Sequence, residues 1–408
     1  MDILSRSARW TEWIFAGLPF FLTNPPSPKF SGVLAVFHTS NKSDMMSKNE
    51  KPTWDEEEGN TDDNIAWAAI TEDAKHATNA EHALPFWQAL KFYRKAVGWS
   101  MAISLGIIME GYDTALIGSF FAFPSFQKKY GQPFEGGYQV SAPWQSSLAL
   151  ASTIGIVFGI QANGYLTERY GYRRVLLVAY VLIVAFIFMT FFAPTVEVLL
   201  AGEILCGLPW GVFATMGPAY VSEVCPVALR GYVQIYVNLC WVIGQLIASG
   251  VLQGLESNTT QWAYRIPFAI QWVWPLPLFC IVYFAPEGPY WLVRKGRLAE
   301  AEHALKRLCS KSSNVDIKKH VALMVHTNKL EESYEVGNSY WDCWRGVERR
   351  RTEISCFMWA NAVCPGFSIA SYGTYFYEQA GLSVANAYKL GLGQTALTFV
   401  SLCVVKVY

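Results

Sequence analysis

Apolar stretches of about twenty residues recur along this chain from Gly98 onward. They lie near 98–123, 145–166, 175–194, 198–221, 232–253, 266–284, 354–377 and 387–408. Each is long enough to cross a bilayer as a helix, because about 20 residues rising 1.5 Å apiece match a hydrocarbon core about 30 Å thick. The last stretch also carries Lys389 and Lys406. Gly and Pro punctuate these stretches, as membrane helices tolerate. The pattern predicts an all-α, polytopic membrane protein.

Outside the stretches the pattern changes. Residues 1–96 are expected to form a cytoplasmic N-terminal tail. Its apolar run from Trp13 to Leu22 is too short to span and is broken by Pro19. No clear small-residue cleavage site follows that run. Residues 41–82 are polar, with Asp55, Glu56, Glu57 and Glu58 in a row, a composition that predicts disorder. Residues 97–285 then form a six-span bundle and 286–353 a polar insert. Within the insert Leu298, Ala301, Leu305 and Leu308 repeat at helical spacing, which predicts short amphipathic helices with those four on one face. Residues 354–408 supply a further pair of spans.

Charge sets the orientation. Lys91, Arg94 and Lys95 precede the first span. Arg169, Arg173 and Arg174 lie between the second and third, and Arg230 between the fourth and fifth. Lys295, Arg297, Lys306 and Arg307 follow the sixth, and Arg349, Arg350 and Arg351 precede the seventh. All fall on one side, whereas Lys128, Lys129 and Arg265 fall on the other. The excess of cations on cytoplasmic loops then puts the N-terminus in the cytoplasm. Asn258-Thr259-Thr260 is a glycosylation sequon on the outer side; Asn41-Lys42-Ser43 is another, on the cytosolic side.

Composition agrees. Hydrophobic residues make up 52% and charged residues 16%, with 16 Trp and no net charge. Soluble domains carry about 25% charged residues. Nothing suggests nucleic acid, a zinc site or a phosphate loop. Cys206, Cys240, Cys280, Cys356, Cys364 and Cys403 sit inside apolar runs and read as small hydrophobes.

Acids inside apolar helices are candidate functional groups, because an ionised carboxylate there costs at least a few kcal/mol and a protonated one far less. Glu110 and Asp113 stand three residues apart on one helix face of the first span, and Glu203 lies early in the fourth. Carboxyls held close can bind and release a proton between them, so these three are the proton-coupling candidates. The fifth span offers Gln234, Asn238, Trp241 and Gln245; Asn238 and Gln245, seven apart, share a face and could hydrogen-bond a polar ligand or a neighbouring helix. No nucleophile–base pair or metal-ligand cluster suggests an enzyme or a cofactor.

Three motifs narrow the reading. The loop after the second span reads Gly164-x-x-x-Glu168-Arg169-x-Gly171-x-Arg173-Arg174. The fourth span closes on Pro218-Ala-Tyr-Val-Ser-Glu223-Val-Cys-Pro-Val-Ala-Leu-Arg230-Gly231, and the sixth is followed by Pro286-Glu287-Gly288-Pro-Tyr290-Trp-Leu-Val-Arg294-Lys-Gly-Arg297. Together they resemble the signatures of the sugar porters of the major facilitator superfamily, over about residues 85–405. Met109-Glu-Gly-Tyr-Asp-Thr114, Gly118-Ser-Phe-Phe-Ala-Phe-Pro124 and Tyr375-Phe-Tyr-Glu-Gln-Ala-Gly381 are similar to the fungal α-glucoside (maltose) permease branch. The resemblance implies a major facilitator fold, a cytoplasmic charge latch built from Gly164, Glu168, Arg169, Gly171, Arg173, Arg174, Glu223, Arg230, Glu287 and Arg294, and sugar contacts at Gln245, Asn238, Trp241, Ser368 and Tyr372. It implies proton symport of an α-glucoside by a monomer in the plasma membrane, with sugar, protons and the lipid bilayer as its partners.

The chain departs from the pattern at several points. Glu203 stands where many sugar porters have an arginine, Gly288 where Ser is usual, and Tyr290 where Arg or Trp is common. Ala362 and Val363 replace an amide pair, and Ile156 stands where α-glucoside carriers often have an acid. The family has two six-span halves; this chain is expected to stop C-terminally truncated, after about two spans of the second. A monosaccharide uniporter and a non-transporting sensor or remnant are the alternatives.

Overall fold

A computed structural model describes residues 85–134, 137–258, 260–310, 316–333, 343–363 and 372–405. The expected acidic tail, the Asn41 sequon, Cys364 and Ser368 lie outside them. Two short helices and a longer one open the fold: α1 (Phe86–Phe92), α2 (Arg94–Ser104) and α3 (Ile107–Phe120), the last two forming one span with a break at Leu105-Gly106. A short helix, α4 (Pro124–Tyr130), leads to an antiparallel hairpin of β1 (Gln132–Phe134) and β2 (Gly137–Gln139). This hairpin is the exception to the all-α expectation. Its signal was the Gly136-Gly137 dipeptide between short apolar-polar segments.

Four long helices follow: α5 (Ala142–Tyr170), α6 (Tyr172–Phe191), α7 (Val196–Val224) and α8 (Val227–Leu255). The sixth span is split into α9 (Trp262–Ile270), a tight 3-10 turn at Gln271–Val273, and α10 (Pro275–Phe284). Six segments of the described residues are thus long and apolar enough to cross a membrane. Each begins and ends within a few residues of its predicted stretch. Beyond them come α11 (Pro289–Arg294), α12 (Leu298–Leu308), α13 (Ile317–Ser333), α14 (Gly346–Val363), α15 (Gly373–Gln379) and α16 (Val384–Val405). Of the predicted stretch 354–377, α14 covers 354–363, beginning earlier at Gly346, and α15 begins at Gly373; residues 364–371 lie outside the described ones.

Glycine sets how closely the long helices approach. Gly155 and Gly159 of α5 face Gly207 and Gly211 of α7, two small-x-x-x-small pairs. A Cβ on Gly155 would stand 2.0 Å from the carbonyl oxygen of Ile204, and one on Gly207 would stand 2.3 Å from that of Ser152. Backbone therefore lies on backbone. The same holds between α3 and α8, where a Cβ on Gly111 would meet the Trp241 carbonyl oxygen at 2.0 Å. Without water to drive helices together, such close contact and its dispersion energy hold a membrane bundle.

Polarity is inverted relative to a soluble protein. Leu150, Val157 and Phe158 of α5 face outward, Phe158 at 63% exposure, while Asp113, Asn163, Glu203 and Gln271 are buried. An outer face of this kind suits lipid. Aromatic residues fill the interior: Phe120 stacks on Phe126 at 5.1 Å, and Tyr180 on Phe213 at 4.7 Å. Tyr388 of α16 is buried against Phe123 and donates to the Ser119 carbonyl oxygen at 2.6 Å, which fastens α16 to the end of α3.

The buried face of α12 differs from the expected one at Leu298. Ala301, Leu305 and Leu308 are buried, joined by Ala304, but Leu298 is 46% exposed. Leu298 is the first residue of the helix, and a helical side chain leans toward the N-terminus, here past the end of the packed face. Among the cysteines, Cys206 and Cys240 are buried as expected, whereas Cys280 and Cys356 are exposed.

Candidate functional site

Three elements converge on one buried polar point. Asp113 comes from the middle of α3, Glu203 from the first half of α7 and Gln271 from the 3-10 turn between α9 and α10. Their exposures are 1%, 0% and 2%. The Gln271 amide donates to Asp113 Oδ1 at 2.7 Å. The Glu203 side chain lies against Asp113, so that each carboxyl is the other's polar neighbour. Neither Glu203 oxygen nor Asp113 Oδ2 has another hydrogen-bond partner. Among the described residues no cation forms an ion pair with either. Two ionised carboxylates placed so would repel without compensation; a proton held between them turns that repulsion into an O–H···O hydrogen bond.

Of the three predicted acids, the structure brings two together. Glu110 is only half-buried, and among the described residues no hydrogen bond or ion pair links it to the pair; Thr114 donates to its backbone oxygen at 2.8 Å. Gln271 was missed. It is the one Asn, Gln or charged residue between Ile266 and Phe284, which was a usable signal. What the sequence does not display is that the 3-10 turn delivers it to Asp113.

At the end of the bundle where α5 and α7 finish, the motif acids and bases cluster. Arg294 reaches Glu223 at 3.2 Å and Glu168 at 3.6 Å, and Lys295 reaches Glu168 at 3.0 Å. The Tyr172 hydroxyl donates to Glu223 at 2.8 Å, and the Trp291 indole donates to the Glu168 backbone oxygen at 2.9 Å. Glu287 accepts from the backbone N–H of Arg173 at 3.2 Å, so its carboxylate sits on the N-terminus of α6, where free N–H groups favour an anion. Burial raises the Glu287 carboxyl above its ordinary range, and the N–H groups of Arg173, Gly288 and Tyr172 draw it partly back.

Gly171 makes this contact feasible. Its φ of +88° is closed to most L-residues, and a Cβ there would lie 3.0 Å from the Glu287 carboxylate. Gly288, in place of the usual Ser, leaves room for Glu223, whose Oε2 would stand 2.6 Å from a Cβ.

The other predicted latch side chains form no ion pair with these acids among the described residues. Gly164 is exposed, with nothing within 4 Å of a Cβ, so it does not set a close helix approach. Arg169 donates to the Tyr165 hydroxyl and covers the Tyr170 ring. Arg173 lies over the Tyr283 ring at 5.0 Å, Arg174 lines an apolar groove between α5, α6 and α7, and Arg230 donates to the Cys225 oxygen at 3.4 Å.

The ion pairs themselves are largely solvated. Lys295→Ala, at a pair exposed by 36% and 54%, should shift thermal stability by less than about 1 kcal/mol. Arg294→Ala should cost more, about 1–2 kcal/mol, because the Glu223 side chain is only 12% exposed and would keep just Tyr172. Thermal melts of the two variants in one detergent compare them; equal losses would refute the distinction.

The predicted sugar contacts divide. On α8, Gln245 and Trp241 are half-buried and Asn238 is exposed. Tyr372 stacks on Phe121 at 5.7 Å and lines a cavity of about 540 Å³ at the opposite end of the bundle from the ionic cluster, between the β-hairpin, the start of α5 and α15. None of the α8 residues lines that cavity.

The family described as Sugar (and other) transporter matches residues 99–408. The maltose permease MAL31 of Saccharomyces cerevisiae is 40% identical over 342 residues, covering 81% of this chain and 56% of that protein. The general alpha-glucoside permease of S. cerevisiae is 38% identical over 336 residues, covering 80% and 54%. The chain thus spans about half the length of the curated relatives it matches. In fold it is similar to the proton:xylose symporter XylE bound to 6-bromo-6-deoxy-D-glucose, with a TM-score of 0.61 at 21% identity over 76% of this chain and 70% of that one. The partially occluded, inward-open xylose transporter XylE from E. coli gives 0.59 at 20% identity, over 76% and 69%.

Proposed function

The chain belongs to the sugar (and other) transporter family, and from that premise we propose that it carries α-glucosides such as maltose across a membrane in symport with protons. The observation that carries the coupling is the buried Asp113–Glu203 pair, held by Gln271 and without an ion-paired cation among the described residues. One proton leaves the pair hydrogen-bonded; its loss leaves two like charges in an apolar interior, at a cost of several kcal/mol. A cost of that size favours rearrangement of the helices that carry the two acids, α3 and α7. Glu110, one turn before Asp113, offers a step on the proton's route.

The yeast relatives named for maltose and α-glucosides support the substrate class. Gln245, Asn238 and Trp241 on α8, with Ser368 and Tyr372, are the proposed sugar contacts. The cation-rich loops support a cytoplasmic N-terminus and a cytoplasmic position for the ionic cluster. The proposed setting is a monomer in the plasma membrane.

The test is uptake of labelled maltose into vesicles carrying the chain, with and without an imposed pH gradient, acid on the side of sugar addition. Accumulation above the external concentration, abolished by a protonophore, is expected. Uptake that proceeds equally without the gradient would make the carrier a uniporter and refute coupling.

A further inference from the structure

We infer that the cavity between the β-hairpin and α15 is a carbohydrate subsite, which takes a second glucosyl unit of an oligosaccharide at the mouth of the bundle. The inference rests on the transport reading above and extends it from Tyr372, one of the proposed sugar contacts, to residues that reading does not use.

The hairpin supplies the first wall. Gln132 and Gln139 are register partners across β1 and β2, so their side chains leave the same face of the ribbon about 5 Å apart. Both line the cavity. The first turn of α5 supplies the second wall through Gln145 and Ser146. Gln145 is 8% exposed and donates its amide to the Val140 oxygen at 2.8 Å, which locks it in place beside the cavity. The third wall is aromatic: Tyr372, Tyr375 and Phe376.

Two features point to a sugar. The first is the mixture itself. A pyranose ring has an apolar face of C–H groups that fits an aromatic ring, and a rim of hydroxyls that both donate and accept, which amides can match at either end. The volume of about 540 Å³ falls within the usual range of small-molecule sites. The second is the Tyr375 hydroxyl. It accepts from the Gln139 amide, so its own proton must point elsewhere. Among the described residues this is the hydrogen bond that joins the two side chains, and it leaves the Tyr375 O–H as a donor and the Gln139 Oε1 as an acceptor. Both residues line the cavity, so a donor and an acceptor ordered by each other stand at its wall, which lowers the cost of binding a hydroxylated ligand.

The experiment measures equilibrium binding of maltose and of glucose to the full chain in lipid nanodiscs, with Tyr375→Phe, Gln139→Leu and the double variant. Tyr375→Phe removes a single oxygen. If a variant yields no monodisperse protein, Gln132→Ala, on an exposed strand position, carries the same test. The expected result is a maltose Kd raised about tenfold in the double variant, the loss of about one net hydrogen bond, with the glucose Kd unchanged. Unchanged maltose binding, or equal losses for both sugars, would overturn the subsite while leaving the transport reading intact. Failure of the unmodified chain to bind either sugar would overturn both.

Discussion

Gly207→Leu should abolish assembly of the bundle. A Cβ at that position would lie 2.3 Å from the Ser152 carbonyl oxygen and 2.7 Å from Gly155 Cα, both backbone atoms that no rotamer change can move aside. Helices α5 and α7 would have to separate along the whole Gly155–Gly159 and Gly207–Gly211 seam. Overpacking a rigid contact costs about 1–3 kcal/mol in ordinary cores and more where backbone must yield. Here the neighbouring contacts of Gly159 and Gly211, at 2.2 and 2.4 Å, would be lost with it. The loss should exceed about 3 kcal/mol, a large part of the stability of most folded chains. Gly164→Leu on the same α5 helix is the control, since a Cβ there meets nothing within 4 Å. Detergent-solubilised Gly207→Leu should give no monodisperse peak and no melting transition, while Gly164→Leu matches the unmodified chain. Similar behaviour of the two would show that the seam does not hold the bundle.

Asp113→Asn should uncouple sugar movement from the proton gradient while leaving the fold intact. Asparagine has nearly the shape of aspartate, and its oxygen can keep the 2.7 Å bond from Gln271. It cannot lose a proton, so Glu203 would keep a neutral neighbour at every pH. The repulsion that follows proton release would never arise. Gradient-driven accumulation of maltose should fall to the equilibrium level, with exchange of labelled for unlabelled sugar retained. Glu203→Gln should behave alike, because the two acids act as one unit and losses within a unit do not add. The double variant should therefore be no worse than either single one. Undiminished accumulation in both single variants would remove the pair from the coupling mechanism.

Much of this architecture can be read from the linear pattern. Runs of about twenty apolar residues have one stable form in lipid, because every backbone N–H and C=O must be paired within its own helix. The six long segments follow from that rule alone, independent of their neighbours. Glu168, Gly171, Glu223, Glu287 and Arg294 were likewise visible as motifs, and the structure gathers them at one end of the bundle.

The details of the interior required three dimensions. Glu110 and Asp113 share a helix face, yet only Asp113 meets Glu203, because the crossing of α3 with α7 admits one of them to the centre. Gln271 is far from Asp113 in the chain, and only the 3-10 turn in the sixth span carries its amide to the carboxylate. Gly164 and Gly207 are the same residue type in apolar helices, but one faces open space and the other a backbone. Local sequence determined which segments become helices, since that depends on polarity and length. Which side chains become partners was decided by helix crossing, since that depends on how close two backbones can come.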